Sequence, residues 1–453
     1  MALKSAQQIK PLLEQNQAQA NVLVQGWIVS NRGNTKIRFL NINDGSTVKH
    51  LQVVLDLNFD LEAIDKWKIG SAVEVFGNLI HSTKSEQGWE LKATKINLLA
   101  LADATFPIQK QEFNLETLRE QPHVRHRTNI LRSVMLIRAT LAQEIHQFFK
   151  ENGFLYMHSP IITSNDGEGA GETFNVTLDQ TNEAFFGTKK ATLAVTGQLQ
   201  AESYALGFTK VYTFGPTFRA EKSNTKRHAA EFWMIEPEVA FCQLDGIIKI
   251  AHQMLKTIIE KTMNQHEAEF AFLDAKTNGQ LKTHLNQFLT APELEQVTYE
   301  QAISILKEAH YPFENQEIKF GMDLATEHER YLTDVHFQAP IAIINYPKEI
   351  KAFYMHLNDD QKTVAAFDLL VPGIGELIGG SQRENDINKL AKRMQFYGIN
   401  VEEMQWYLDL RKFGNPGSAG FGLGFERLVM YVTGIENIRD TIPYPRTFGN
   451  LKM

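Results

Sequence analysis

Alternation of apolar and polar positions dominates the first hundred residues. "NVLVQGWIVS" sets Val22, Val24, Gly26 and Ile28 on one side of an extended chain. "KIRFLNINDG" follows and ends at the turn Asn43-Asp44-Gly45; "HLQVVLD", "SAVEVFGNLI" and "WELKATKINLLA" come next. Five short strands with Gly and Asn/Asp turns predict a small closed barrel over residues 1–105. Residues 106–130 break the pattern and read as a hinge exposing Arg119, Arg125 and Arg127. From Leu131 the apolar spacing becomes helical and opens a second domain, 131–453. "FLYMHSPIIT" then reads as a strand, and Pro160 near its end suits a sheet edge or an interface because it donates no N–H. Residues 243–340 read as a mixed, helix-rich insertion without a chemical motif. Strands return with "APIAIINYP" and "TVAAFDLLVPGIGELIGGSQR", and "GSAGFGLGFERLVMYVTG" reads as a Gly-rich strand feeding a helix.

Charge falls on this pattern in an unusual place. In "TFRAEKSNTKRHAAEFWMIEPEVAF", two strands flank a polar loop, and side chains alternate faces along each strand. Thr217, Arg219 and Glu221 share one face; Phe232, Met234, Glu236 and Glu238 share another. A hairpin would bring Arg219 and Glu221 beside Glu236, with Phe232 as an aromatic plate and Arg227 and His228 on the loop. Taken alone, this is equally a solvated face with surface ion pairs. Two further segments change the balance. In "GIGELIGGSQR", Glu376 and Arg383 flank a Gly-Gly that admits close approach. In "GFGLGFER", Gly420, Gly422 and Gly424 lie on one strand face, leaving it open for something flat, with Arg427 at the strand-to-helix junction. The three segments together suit a flat anion such as a nucleotide. Phe232 and Arg427 would sandwich its base and Arg219 would grip a phosphate by paired hydrogen bonds. Glu376 and Glu236 would hold Mg²⁺ against the phosphates.

Composition narrows the classes. The 453 residues are too many for one core, and 43% hydrophobic with 22% charged residues fits a soluble globular protein. The net charge of −7 argues against a broad DNA binder. Residues 1–105 are near neutral, with 11 Lys+Arg against 10 Asp+Glu, whereas residues 106–140 carry 6 against 3, so the first third is where a polyanion would sit. One cysteine, Cys242, excludes an intrachain disulfide and fits a reduced, cytoplasmic setting. "MALKSAQQIKPLLEQ" lacks the apolar core of a signal peptide, and no stretch approaches the roughly 20 apolar residues of a membrane span.

With these segments on the page, the chain resembles the class II aminoacyl-tRNA synthetases. Pro160 in its helix–strand setting, "FRAE…RHAAEF" and "GLGFERL" are similar to their motifs 1, 2 and 3. The N-terminal barrel points to the aspartyl, asparaginyl and lysyl subgroup, and "FRAEKSNTKRHAAEFWMIEPE" with "IRDTIPYPRT" looks most like the asparaginyl family. One departure is Arg446-Thr447-Phe448-Gly449, where the family usually has Arg-Thr-Pro-Gly. The resemblance covers nearly the whole chain, weakest over 243–340. It implies an α+β architecture: an OB-fold anticodon-binding barrel, then a class II catalytic domain with an antiparallel sheet flanked by helices, dimerising through motif 1 into a homodimer.

The resemblance also implies roles. Arg219 would bind the α-phosphate of ATP, Arg227 and His228 the triphosphate tail, and Phe232 and Arg427 the adenine. Glu376 and Glu236 would hold Mg²⁺. Glu168 and Gln198 match contacts to the α-amino group and main chain of the amino acid, and Arg383 matches the arginine gripping its side-chain oxygen. Aspartyl enzymes add a lysine where this chain has Ala201; Glu221 would instead accept from a carboxamide and repel a carboxylate. Both changes favour L-asparagine. Phe39 and Gln52 match positions that stack on and bond anticodon bases, here of tRNA(Asn). An aspartyl or non-discriminating enzyme, a synthetase-derived asparagine synthetase and an RNA-binding paralogue remain the alternatives.

Overall fold

The computed structural model describes residues 5–85, 87–109, 113–164 and 172–453. They form two compact units, Met1–Ala139 with His266–Lys276, and Thr140–Gln265 with Thr277–Met453.

In the first unit, β1 (Gln19–Gly33), β2 (Arg38–Asn43), β3 (Leu51–Leu55), β4 (Ala72–His81) and β5 (Trp89–Ala100) close into a barrel of order β1-β2-β3-β5-β4. A register shift between Ile28 and Ser30 bends the long β1, which pairs with both β2 and β4. The alternation has the inside–outside meaning expected of it: Val22, Val24, Ile28, Leu40, Ile42, Val53, Val75 and Leu91 are buried in one cluster. Helix Glu267–Lys276 belongs to this unit, although it comes from within the segment read as an insertion. The Glu269 carboxylate accepts from Thr47 Oγ1 and the Val48 N–H, each at 2.7 Å.

The second unit is built on an eight-stranded sheet. Its strands are β6 (Leu155–Tyr156), β7 (Lys210–Phe218), β8 (Glu231–Ala240), β9 (Glu295–Thr298), β10 (Ile341–Pro347), β11 (Thr363–Val371), β12 (Gly375–Gln382) and β13 (Ser418–Gly424). The order is β9-β10-β11-β12-β13-β8-β7-β6. The six central strands are antiparallel, as the sequence suggested, but both edge strands join parallel. Each edge strand is reached through a helical crossover rather than a hairpin, which allows parallel pairing. The predicted "FLYMHSPIIT" strand is reduced to β6 and a short pair of Ile162–Thr163 with Thr192–Leu193. Helix Leu244–Gln265 buries Ile247, Ala251, Leu255 and Ile258 on an i, i+4, i+8, i+11 stripe and packs on the sheet. No helix among the described residues is long and apolar enough to cross a membrane.

Candidate active site

Strand register places the charged segments on one sheet face. In the β7–β8 hairpin, Phe232 lies opposite Thr217 and Glu236 opposite Thr213. On its other side β8 sets Met234 against Gly424 and Glu238 against Gly420. Strand β13 pairs Gly420 with Ser381 and Gly422 with Gly379, and β11 sets Asp368 against Gly379. One face therefore runs across five strands, floored by glycines where other sheets carry side chains.

The glycine floor serves the protein itself before any ligand. A Cβ at Gly420 would fall inside the Glu238 carboxylate, and one at Gly422 would stand 2.8 Å from the Met234 methyl. Only Gly424, whose nearest neighbours are Arg427 side-chain atoms at 3.8 Å or more, keeps open space above it. The flat opening expected over all three glycines is thus confined to the β13 C-terminal end.

At that end a cleft is lined by Arg219, Glu221, Arg227, His228, Phe232, Glu376 and Arg427. The Arg219 guanidinium lies 5.4 Å from the Phe232 ring centroid. Arg427 Nη1 donates to Glu376 Oε2 at 3.2 Å. Burial pushes the Glu376 carboxyl up, but Arg427 and Lys351 outweigh it and hold it below the usual range. Arg227 donates to Thr326 Oγ1 at 3.0 Å, and burial together with Arg427 lowers its pKa. His228 stands 3.6 Å from Glu221 Oε2 and bonds Thr225.

The carboxylates around Glu376 differ from those expected. Glu236 is not beside it: its oxygens accept from Thr196 Oγ1, the Gly197 N–H at 2.8 Å and Thr213 Oγ1 at 3.1 Å. Facing the right way was not enough: β13 lies between β8 and the strand of Glu376, and the Glu236 oxygens are spent on fixing the start of helix Gln198–Phe208. Asp368 takes its place beside Glu376, and the Glu329 carboxylate accepts the Glu376 N–H. Asp368 Oδ1 and Glu376 Oε1 both approach the position of a Cβ on Gly379, at 3.5 and 3.0 Å. Asp368 accepts from Lys351 Nζ at 2.9 and 2.6 Å. Burial and the neighbouring Glu376 charge push Glu329 up to about 8. A lone Asp inside the apolar run "TVAAFDLLV" was the signal that could have found Asp368; Glu329 had none.

Farther along the same face the groups are buried and paired. Arg383, 2% exposed, donates from Nε to Glu238 Oε2 at 3.1 Å, from Nη2 to Glu238 Oε1, and from Nη1 to Ser381 Oγ at 2.8 Å. Its guanidinium lies 5.2 Å from the Tyr354 ring. Burial opposes the charge, but Glu238 outweighs it and raises the Arg383 pKa. Helix Gln198–Phe208 supplies Glu202, which pairs with Arg411 at 2.7 Å and accepts from Tyr407. Gln198 Nε2 is buried without a partner among the described residues. Ala201 is fully buried with Met157, Ala205 and Val211, and no lysine or arginine occurs in the helix. Glu168 lies outside the described residues.

On the barrel, Phe39, Asn41, Gln52 and Val54 share the outward face through the β2–β3 register. Arg32 donates to Gln52 Oε1 at 2.9 Å, Gln52 Nε2 donates to Glu90 at 2.7 Å, and the Arg32 guanidinium is 6.0 Å from the Phe39 ring. Arg32 and Glu90 escaped the sequence reading because cross-strand pairing alone brings them together.

Comparison with known proteins agrees with this architecture. Residues 114–448 match the family described as tRNA synthetases class II (D, K and N), and residues 22–99 match the OB-fold nucleic acid binding domain. The chain is 58% identical to the asparagine–tRNA ligase of Mycoplasma mobile, covering 95% of this chain and 96% of that one. It is 55% identical to the corresponding ligase of Mycoplasmopsis pulmonis over 96% of each. The asparaginyl-tRNA synthetase of Pyrococcus horikoshii, solved with asparaginyl-adenylate, superposes with a TM-score of 0.87 at 30% identity, covering 99% and 100% of the two chains.

Proposed function

The chain belongs to the class II tRNA synthetases of the D, K and N group, and on that premise we propose how its cleft joins asparagine to tRNA. The enzyme is an asparagine–tRNA ligase: it activates L-asparagine with ATP and transfers it to tRNA. A carboxylate oxygen of asparagine forms a bond to the α-phosphorus while the bond to pyrophosphate breaks. A terminal ribose hydroxyl of tRNA(Asn) then attacks the carbonyl carbon, loses its proton and expels AMP. Neither step needs a protein nucleophile; positioning and fixed charge carry the catalysis.

The observation that carries this reading is a single sheet face with partly exposed cations at one end and a buried, clamped one at the other. At the open end, Arg219 binds the α-phosphate, Arg227 and His228 the triphosphate tail, and Phe232 and Arg427 the adenine. The carboxylates of Glu376 and Asp368 suit a hard cation such as Mg²⁺, which they would share with the phosphates; the donors are oxygen only, and the described residues hold no ready-made cluster of three metal-binding groups. When bound, the ion neutralises phosphate charge. At the clamped end, Arg383, oriented by Glu238 and Ser381, still has N–H donors for the side-chain oxygen of asparagine. The unpartnered Gln198 amide and Glu168 take the amino-acid main chain. Glu221 accepts from the carboxamide, and the alanine at 201 offers nothing to a second carboxylate oxygen.

Phe39 and Gln52, the latter held by Arg32 and Glu90, read anticodon bases by stacking and hydrogen bonds. A homodimer is supported by the half-exposed Leu155, Tyr156, Ile161 and Ile162 around Pro160. A cytoplasmic setting is supported by the single, free Cys242. The test is charging of tRNA(Asn) transcript by the full chain with ATP and Mg²⁺. Asparaginyl-tRNA with one AMP per product is expected, and charging lost on changing the anticodon supports the barrel assignment. Charging indifferent to the anticodon overturns that assignment, and no charging at all overturns the reading.

A further inference from the structure

The segment 243–340 carries no motif, yet one of its helices touches two segments of the nucleotide end. Helix Thr326–Arg330, continued by a wider turn through Tyr331–His336, is held firmly from below. His328, fully buried, accepts the Ala325 N–H at 3.1 Å and bonds the Asn315 carbonyl at 3.2 Å, and Leu332 sits in a buried apolar cluster with Tyr299 and Phe353. From this base three side chains reach out. Thr326 Oγ1 accepts from Arg227 on the motif 2 loop. Asp334 Oδ1 accepts from the Gly373 N–H at 2.8 Å, and Glu329 Oε2 accepts from the Glu376 N–H at 3.1 Å. The Gly373 N–H lies in the β11–β12 turn, and the Glu376 N–H at the start of β12 just beyond it. Gly375, at φ +84°, is required twice over: for its backbone conformation, and because a Cβ there would strike the Glu329 carboxylate. Among the described residues Glu329 makes no ion pair, so its contact with the turn is not incidental to some other bridge.

We propose that Glu329 is a positioning residue for nucleotide binding, acting through its hydrogen bond to the Glu376 backbone, with helix Thr326–His336 as the strut joining the Glu376 turn to the motif 2 loop. Glu329 does not line the cleft, and Arg427 and Lys351 already answer the Glu376 and Asp368 charges. Length and acceptor geometry are therefore what the contact needs. The inference rests on the adenylation reading above.

Two variants separate reach from charge. E329Q keeps the length and an acceptor oxygen but not the charge; E329D keeps the charge but withdraws it by one methylene. Full-length wild type and both variants would be compared by calorimetric titration with Mg·ATP and by the Mg²⁺ concentration giving half-maximal ATP–pyrophosphate exchange. The asparagine KM and thermal unfolding serve as controls. E329D is expected to weaken Mg·ATP binding about tenfold and raise the Mg²⁺ requirement similarly, the loss of one buried hydrogen bond, while E329Q and all asparagine KM values stay within about twofold. E329D behaving as wild type, E329Q failing, or the asparagine KM rising in step with that for ATP would each overturn the proposal. A wild-type enzyme inactive in exchange with asparagine would instead overturn the adenylation reading, leaving the calorimetric comparison to judge Glu329.

Discussion

The two ends of the sheet face use charge in opposite ways. Around Arg383 lie two buried ion pairs, Arg383 with Glu238 and Arg411 with Glu202. Around Arg427 and Glu376 the side chains are 35% and 38% exposed, at 3.2 Å. Buried pairs add little net stability but make a fixed geometry, because breaking one strands the other charge. Half-exposed pairs are cheap to rearrange. The difference suits what each end must recognise. A small polar side chain is told from its near twin only by groups that cannot adapt, whereas a triphosphate that arrives, splits and leaves is better met by arms that can move.

This contrast can be broken experimentally. The largest effect is expected from R383A, which leaves Glu238 buried without its partner. It should cost roughly 3–5 kcal/mol of stability and abolish asparagine activation, checked by denaturant unfolding and pyrophosphate exchange. R427A should lower kcat/KM for ATP by about 10²-fold or more yet leave unfolding within about 0.5 kcal/mol. Equal stability losses in the two variants would erase the distinction. Chelation of Mg²⁺ should stop exchange without shifting the unfolding midpoint. Q198A should raise the asparagine KM about tenfold and leave the fold neutral or slightly stabilised, since it removes a buried donor that lacks a partner among the described residues. The smallest effect is expected from E221Q: a loss of discrimination against aspartate of about tenfold, with asparagine turnover nearly retained.

How much of this could be read from the chain depended on distance along it. Face parity within "TFRAEKSNTKRHAAEFWMIEPEVAF" correctly grouped Phe232 with Met234, and it set Arg219 against the Phe232 ring. The same parity misled at Glu236, because a period of two says which way a side chain points but not which strand will lie between it and its expected partner. The metal-side partner needed the β11–β12 register, which places Asp368 opposite Gly379. Glycine spacing in β13 was legible as an open face, but its first occupants, Glu238 and Met234, belong to a strand about 190 residues earlier. The barrel was legible almost throughout, since its strands are neighbours in sequence and their inward alternation is regular. Arg32 and Glu90 were the exceptions, joined through Gln52 only once the strands pair. Helix Glu267–Lys276 could not have been assigned to the barrel unit from sequence, because the carboxylate of Glu269 meets Thr47 and Val48 more than 200 residues away.

The central claim is that a clamped arginine, a glutamate at the mouth and an alanine in place of a cation select a carboxamide. ATP–pyrophosphate exchange with Mg²⁺ and without tRNA, run separately with asparagine and with aspartate, tests it most directly. Exchange with asparagine and background levels with aspartate is the predicted result; exchange with aspartate alone, or with both at equal rates, would contradict it.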